Sequence, residues 1–206
     1  MKPIQSDDEA PPVRRRNAAN TRQAILASAR VAFTRAGYDG AGVREIASGA
    51  GVTAMLVNRY FGSKENLFAE AIAQTMATTA VVLPEILKSK SGEAIAAALV
   101  SITQSGDTPL EGFQIMLRSA GSARAAEIAR EQIQKHQQAA IAAALGGEQA
   151  AQRAALMLAL IAGLQVMRQM IGLPALAGAR PKALVKVLGP LFQLLIDGQH
   201  GASGSS

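Results

Sequence analysis

The sequence predicts an all-α protein, and three observations lead there. Hydrophobic residues fill 49% of the 206 positions while aromatics supply 3% and Trp none. A core must therefore be assembled from Ala, Leu, Ile, Val and Met, a palette that suits helices better than sandwiches or barrels. Apolar residues recur at helical spacing along nearly the whole chain, and no window shows the alternation of a strand. Charged residues reach only 17%, which with this apolar content excludes disorder for most of the length. The length fits one compact domain or two small ones sharing a core. There is no Cys, so a disulfide framework and a thiolate metal site are excluded.

The elements follow in order. Residues 1–16 hold an acidic cluster (Asp7, Asp8, Glu9), Pro11-Pro12 and Arg14-Arg15-Arg16, and are expected to form a loose basic arm. Ile25, Leu26, Ala29, Ala32, Phe33 and Ala36 define the apolar face of a first helix. Asn20 and Gln23 resemble its capping box and Gly37 its stop. Two short helices are expected at about 43–49 and 54–60 around a Gly49-Ala50-Gly51-Val52 bend. Ser63 then caps a longer helix running towards residue 80. Further helices are expected at about 92–104, 109–120, 123–145, 148–171 and 181–197, separated by Gly, Pro and Ser breaks. A Gly/Ser-rich tail, 198–206, closes the chain.

Charge is concentrated at one end. The net charge is +6, but from Val13 to Lys64 nine Lys/Arg stand against two acids, while the remainder carries 12 cations and 13 anions. A basic module joined to a near-neutral one is the electrostatic footprint of a polyanion binder.

The basic module contains residues 42–61, GVREIASGAGVTAMLVNRYF. Val43, Ile46, Ala47 and Ala50 form one apolar face, and Val52, Val57 and Phe61 another, with a glycine-bearing turn between. With the preceding helix as a lid this is a three-helix unit, the helix-turn-helix, whose second helix enters the major groove of DNA. Thr53 is the natural N-cap of that second helix. Its outward residues are Ala54, Met55, Leu56, Asn58, Arg59 and Tyr60. Asn58 can bond adenine bidentately, whereas Ala54, Met55 and Leu56 can only touch a thymine methyl or exclude water. Arg59 can reach guanine or phosphate. Ser63 and Lys64, at the start of the next helix, form a ready phosphate clamp.

The run from Thr21 to Ile72 resembles the N-terminal domain of the TetR/AcrR-type transcriptional regulators. The resemblance rests on the first helix ending AFTRAGYDG, the VREIA helix, the AGVT turn, the RYF ending and the SKENLF start of the next helix. It implies a homodimer of about nine helices, three for binding a double-stranded DNA operator and the rest for sensing a small molecule and dimerising. It also implies that Arg44 contacts phosphate or a base edge, that Ala54, Met55, Leu56 and Asn58 face the groove, and that Tyr60 and Lys64 bond phosphates. The chain departs from the family pattern at three positions: Gly42 stands where Thr or Ser usually caps, Met55 where Gly or Pro is frequent, and Asn58 where Tyr is common. The operator sequence therefore cannot be borrowed from relatives. The expected division is an arm at 1–16, a helix-turn-helix domain at 17–62, a sensing and dimerisation domain at 63–197 and a tail at 198–206. Arg14, Arg15 and Arg16 are placed to follow a minor groove.

In the second half, Leu156, Leu160, Leu164 and Met167 line one stripe, widened by Met157 and Ile161, and Leu184, Val187, Leu188, Leu191 and Leu195 line another. Both are broader than one small domain can cover and are expected to form a four-helix dimer interface. Gly189-Pro190 is expected to interrupt and kink the last helix. A ligand pocket is expected among the helices of 63–171. Phe68, Met76, Phe113 and Met116 are candidate walls, though core is the more natural place for them, and Arg118, Gln132, His136, Gln165 and Arg168 are candidate polar contacts, though each of these five sits more naturally on the surface or at the dimer seam. The lining suggests a largely apolar effector.

Other classes are weaker. Gly49-Ala50-Gly51-Val52-Thr53-Ala54 formally matches a dinucleotide fingerprint, but that fingerprint must follow a strand and here follows a helix. No catalytic or metal-binding motif is found, so no cofactor, metal or enzymatic activity is expected. An interaction-only adaptor with a degenerate helix-turn-helix is opposed by the intact Arg44, Tyr60 and Lys64. The longest apolar run, 154–164, falls short of the roughly 20 residues a spanning helix needs, and the N-terminus has no apolar secretory core. A cytoplasmic location without membrane contact is expected.

Overall fold

The computed structural model describes residues 12–104 and 110–198, of which 12–16 and 77–84 by backbone alone, and among the described residues every element is helical. In chain order these are α1 (Pro12–Gly40), α2 (Val43–Gly49), α3 (Ala54–Phe61), α4 (Lys64–Leu87), α5 (Gly92–Gln104), α6 (Glu111–Ser119), α7 (Ala123–Ile133), α8 (Ala139–Leu145), α9 (Ala150–Gln165), α10 (Pro174–Ala177) and α11 (Pro181–Asp197). π-Helical stretches at Gln134–Gln138 and Val166–Met170 join α7 to α8 and extend α9. The sequence pattern thus finds the helices, with the π stretches and the single turn of α10 as additions.

Two local readings change. α1 begins at Pro12, so the backbone of 12–16, expected in the loose arm, is helical and Asn20 lies inside the helix instead of capping it. Residues 1–11 and 199–206, most of the expected arm and tail, lie outside the described residues. The stop at Gly37 is realised: φ is 69° and ψ −176°, a conformation open essentially to Gly alone, so the regular helix breaks there and a last turn leads to Gly40.

Two apolar cores share the fold. The first joins Ile25, Leu26, Ala29 and Phe33 of α1 to Ile46, Val57 and Phe61 of α2 and α3, to Leu67, Phe68 and Ile72 of α4, and to Ile115 and Ile128 of α6 and α7. It crosses the expected division between 17–62 and 63–197. At its centre Phe68 meets Phe33 edge-on at 5.0 Å and Tyr38 at 4.9 Å, contacts worth about 0.5–1.5 kcal/mol each beyond area burial. The second core unites α5, α8, α9 and α11 around Ile95, Leu99, Met157, Ile161, Leu188 and Phe192.

Gly189-Pro190 does not interrupt the last helix, because α11 runs continuously across Pro190. The glycine serves a close helix crossing instead. A Cβ on Gly92 of α5 would stand 2.4 Å from both the Gly189 carbonyl oxygen and the Gln193 amide. Gln193 fixes the crossing by accepting the Gly92 N–H at 2.8 Å.

Candidate nucleic-acid interface

The reading head is built from short-range rules. α2 starts at Gly42, whose lack of a side chain leaves the helix without a side-chain cap. After α2 the chain turns on Gly51, at φ 68°, and the Val52 N–H returns to the Ala47 carbonyl at 2.9 Å. The Ser28 hydroxyl of α1 donates to the Ile46 carbonyl at 2.8 Å, bracing α2 from behind. Thr53 then caps α3, its hydroxyl accepting the Leu56 N–H at 3.3 Å. Val57 and Phe61 are buried and set the azimuth of α3.

That azimuth decides which residues face outward. Met55 is 81% exposed, and Asn58 and Arg59 are exposed beside it. Leu56 is half-buried. Ala54 and Tyr60, also half-buried, pack partly against the first core. The outward face is therefore narrower than the spacing predicts.

The cations divide into two groups. Arg22 pairs with Glu70, Arg30 with Glu111 and Arg35 with Glu45. These three contribute to the sequence charge count, yet each is neutralised by a carboxylate. Arg22 also lies 4.8 Å from the centre of the Phe61 ring, so it ties α1 to both α3 and α4. Arg44 and Arg59 are exposed and form no ion pair among the described residues. The side chains of Arg14, Arg15 and Arg16 lie outside the described residues.

Lys64 is the most informative cation. It opens α4, where the helix dipole disfavours positive charge. Its ammonium rests 4.7 Å from the centre of the Tyr38 ring, a partial compensation. Ser63 caps the same turn by accepting the Asn66 N–H at 3.2 Å. Glu65 is held below the usual carboxylate range by its own backbone N–H, by the Ser63 hydroxyl and by the Tyr38 phenol. The phenol is pushed up by burial first and then by its hydrogen bond to Glu65. Sequence reasoning missed this Tyr38–Glu65 couple, for which spacing gives no signal.

Behind the head, α6 grips the end of α1. The Tyr38 N–H donates to the Ser119 hydroxyl at 2.9 Å, the Arg30 Nε to Glu111 at 2.9 Å, and the Ser122 hydroxyl to Asp39 at 3.2 Å. Further back, a cavity of about 430 Å³ lies among α4, α6 and α7 and is lined by Phe68, Met116, Ala125, Ala129 and Ile133 with Arg130 and Gln134 at its margin. Of the candidate walls, Phe68 and Met116 border it. Met76 is core and Phe113 half-buried, and neither reaches it.

The polar candidates scatter. Arg118 is exposed. Gln132 and His136 line a separate crevice of about 450 Å³ where α3, α4 and α7 meet, beside Arg22 and Tyr60. Gln165 and Arg168, expected on the surface or at a seam, are buried.

The apolar stripes also resolve. Leu164, Leu184 and Leu188 are buried in the second core, so they serve the protomer itself. Leu160 and Leu195 are partly buried against it. Leu156, Met167, Val187 and Leu191 stay exposed, joined by Leu194 at 63%, which the stripe reading left out. The stretch Ala150–Met170 is the one helix among the described residues long and apolar enough to cross a membrane, and it carries buried Arg153 and Arg168 near its ends.

Comparison with known proteins gives a consistent result. The family described as "Tetracyclin repressor-like, C-terminal domain" matches residues 89–196, and that described as "Bacterial regulatory proteins, tetR family" matches residues 25–71. The transcriptional repressor AcnR of Corynebacterium glutamicum is 39% identical over 66 residues, 32% of this chain and 35% of that protein. The chain thus aligns with about a third of the length of this curated relative. A TetR-family regulator from Streptomyces coelicolor A3 is similar in structure with a TM-score of 0.53 and 26% identity, covering 87% of this chain and 96% of that one. NalD of Pseudomonas aeruginosa, the secondary repressor of an efflux pump, shares the fold with a TM-score of 0.56 and 20% identity, covering 83% of this chain and 96% of its own.

Proposed function

This chain belongs to the TetR family of bacterial transcriptional regulators, and we propose that it is a repressor that leaves a palindromic operator when a small, largely apolar effector enters its C-terminal half. One observation carries the reading: Asn58 and Arg59 are exposed on α3, and among the described residues Arg44 of α2 and Lys64 of α4 form no ion pair with a carboxylate. Base-edge readout needs a polar side chain in the groove, and affinity needs cations on the flanking phosphates. Asn58 reads a base, Arg59, Tyr60 and Arg44 position the protein on the backbone, and Ser63 with Lys64 grips a phosphate at the start of α4. Thr53 holds the angle of the reading helix, and Arg14, Arg15 and Arg16 follow the minor groove.

The regulator acts in the cytoplasm as a homodimer. The exposed Leu156, Met167, Val187, Leu191 and Leu194 supply the apolar face that a second copy covers. Dimerisation sets the two reading helices roughly 34–36 Å apart, or a multiple of this, to match half-sites one helical turn apart. The cavity beside Phe68 and Met116 suits an apolar effector. It borders α6, which holds the end of α1, so an effector that favours another setting of α6 moves the reading heads. A coupling of about 1–3 kcal/mol then separates bound from released states.

Selection of bound duplexes from a random pool tests the proposal, repeated with the Asn58→Ala variant. An inverted repeat is expected from the parent protein. The variant should keep the repeat and relax discrimination at one base pair per half-site, by about 1–3 kcal/mol. A pool without enrichment overturns the reading.

A further inference from the structure

Tyr38 stands where the reading head meets the sensing half, and its groups are tied to both. The residue before it, Gly37, carries the left-handed turn that breaks the regular part of α1. The Tyr38 N–H donates to the buried Ser119 hydroxyl of α6 at 2.9 Å. Its buried ring meets Phe68 of α4 edge-on at 4.9 Å. Ser119 and Phe68 both line the cavity of about 430 Å³ among α4, α6 and α7. The phenol bonds Glu65, which fixes the rotation of the ring. Over that same ring, 4.7 Å from its centre, lies the ammonium of Lys64.

Lys64 depends on such a partner. It is the first residue of α4, where unpaired N–H groups disfavour positive charge. It is half-buried and forms no ion pair among the described residues. A lysine left free samples many rotamers and loses that freedom when it grips a phosphate. The face of an aromatic ring attracts an ammonium and narrows those rotamers before DNA arrives, so less is lost on binding. Among the described residues only Arg22 and Lys64 lie over aromatic rings, and Arg22 is already paired with Glu70. Lys64 is thus the one described cation that is held by a ring and still has its charge to offer.

We infer that Tyr38 is a positioning residue for DNA binding: its ring holds the Lys64 ammonium in place for a backbone phosphate, and two residues of the cavity wall, Ser119 and Phe68, hold the ring. Lys64 touches the phosphate, and Tyr38 acts through it. A shift of that wall therefore reaches the phosphate contact without passing through α2 or α3. This role rests on the regulator reading above.

The test uses the full-length protein and duplexes that the parent protein recovers from a random pool. Lys64→Ala should weaken binding about fivefold at physiological salt and flatten the salt slope by about one unit. Tyr38→Leu removes the ring face and should weaken binding about threefold in the parent, but cause no further loss when Lys64 is already Ala. Tyr38→Phe, which restores a ring face, should recover most of the loss. Circular dichroism checks that each variant is folded. Because Tyr38 is buried, the leucine variant can disturb folding, and NMR provides a second measurement on the unaltered chain. The Lys64 ε-methylene resonance, assigned by its loss in Lys64→Ala, should lie upfield of the other lysines in the parent and in Tyr38→Phe, and should move when duplex is added. A Lys64 resonance among the other lysines, one that duplex leaves in place, equal losses from Tyr38→Leu in both backgrounds, or a gain in affinity from Tyr38→Leu overturns the role. A parent protein that enriches no duplex overturns the regulator and this role with it, whereas enrichment combined with equal losses overturns this role alone.

Discussion

Gly37 lies directly against the backbone of Arg118: a Cβ at position 37 would stand 2.4 Å from the Arg118 carbonyl oxygen. The break at the end of α1 and the seat of α6 are therefore one feature. A glycine that ends a helix also lets the sensing half approach the reading head closely enough for Ser119 and Glu111 to bond α1.

Gly37→Ala should consequently destabilise the fold by about 2–4 kcal/mol, from a backbone conformation Ala resists plus overpacking against main chain that cannot yield. Urea unfolding measures this, and a loss below about 1 kcal/mol would show that α6 can move aside freely.

The two groups of cations predict different salt behaviour. Arg44→Ala and Arg59→Ala should each flatten the dependence of DNA affinity on salt by about one unit. Arg35→Ala should leave the slope nearly unchanged, since its partner Glu45 already neutralises it. Fluorescence anisotropy across a salt series separates these outcomes, and equal effects from all three would contradict the division.

The proposed dimer face is the exposed side of α11, with Val187, Leu191 and Leu194. Val187→Glu or Leu194→Glu should give a folded monomer by sedimentation, with helical content retained. Leu188→Glu should instead unfold the protomer, costing at least about 4 kcal/mol, because position 188 is buried in the second core.

Tyr38 and Glu65 make a pH signature. The Tyr38 phenol is raised above the ordinary value of about 10. Its contribution to stability is fully present below the unfolded value and is lost as pH rises through the folded one. For Glu65, lowered from its ordinary value, the contribution is present above the unfolded pKa and fades as pH falls through the folded one. The chain has two Tyr and no Trp, so absorbance at the tyrosinate band in Tyr60→Phe reports Tyr38 alone. Titration at or below the free phenol value would rule out the couple, and Glu65→Gln should lower the Tyr38 midpoint.

The sequence by itself determined the helices and the reading head. Apolar spacing at 3.6 residues, the caps at Thr53 and Ser63 and the glycines at Gly37 and Gly51 are local signals, and local signals are carried by neighbours in the chain. Tertiary structure decided which stripe of a helix faces its own core and which faces outward. Period alone gives the angle between residues but not the direction of the neighbouring helix, so Leu188 and Val187 could not be told apart until α5 was placed against α11. It also decided which charges are spent. Arg30 meets Glu111 across 81 positions. Pairing in space is set by the packing of remote elements, which no spacing in the chain records.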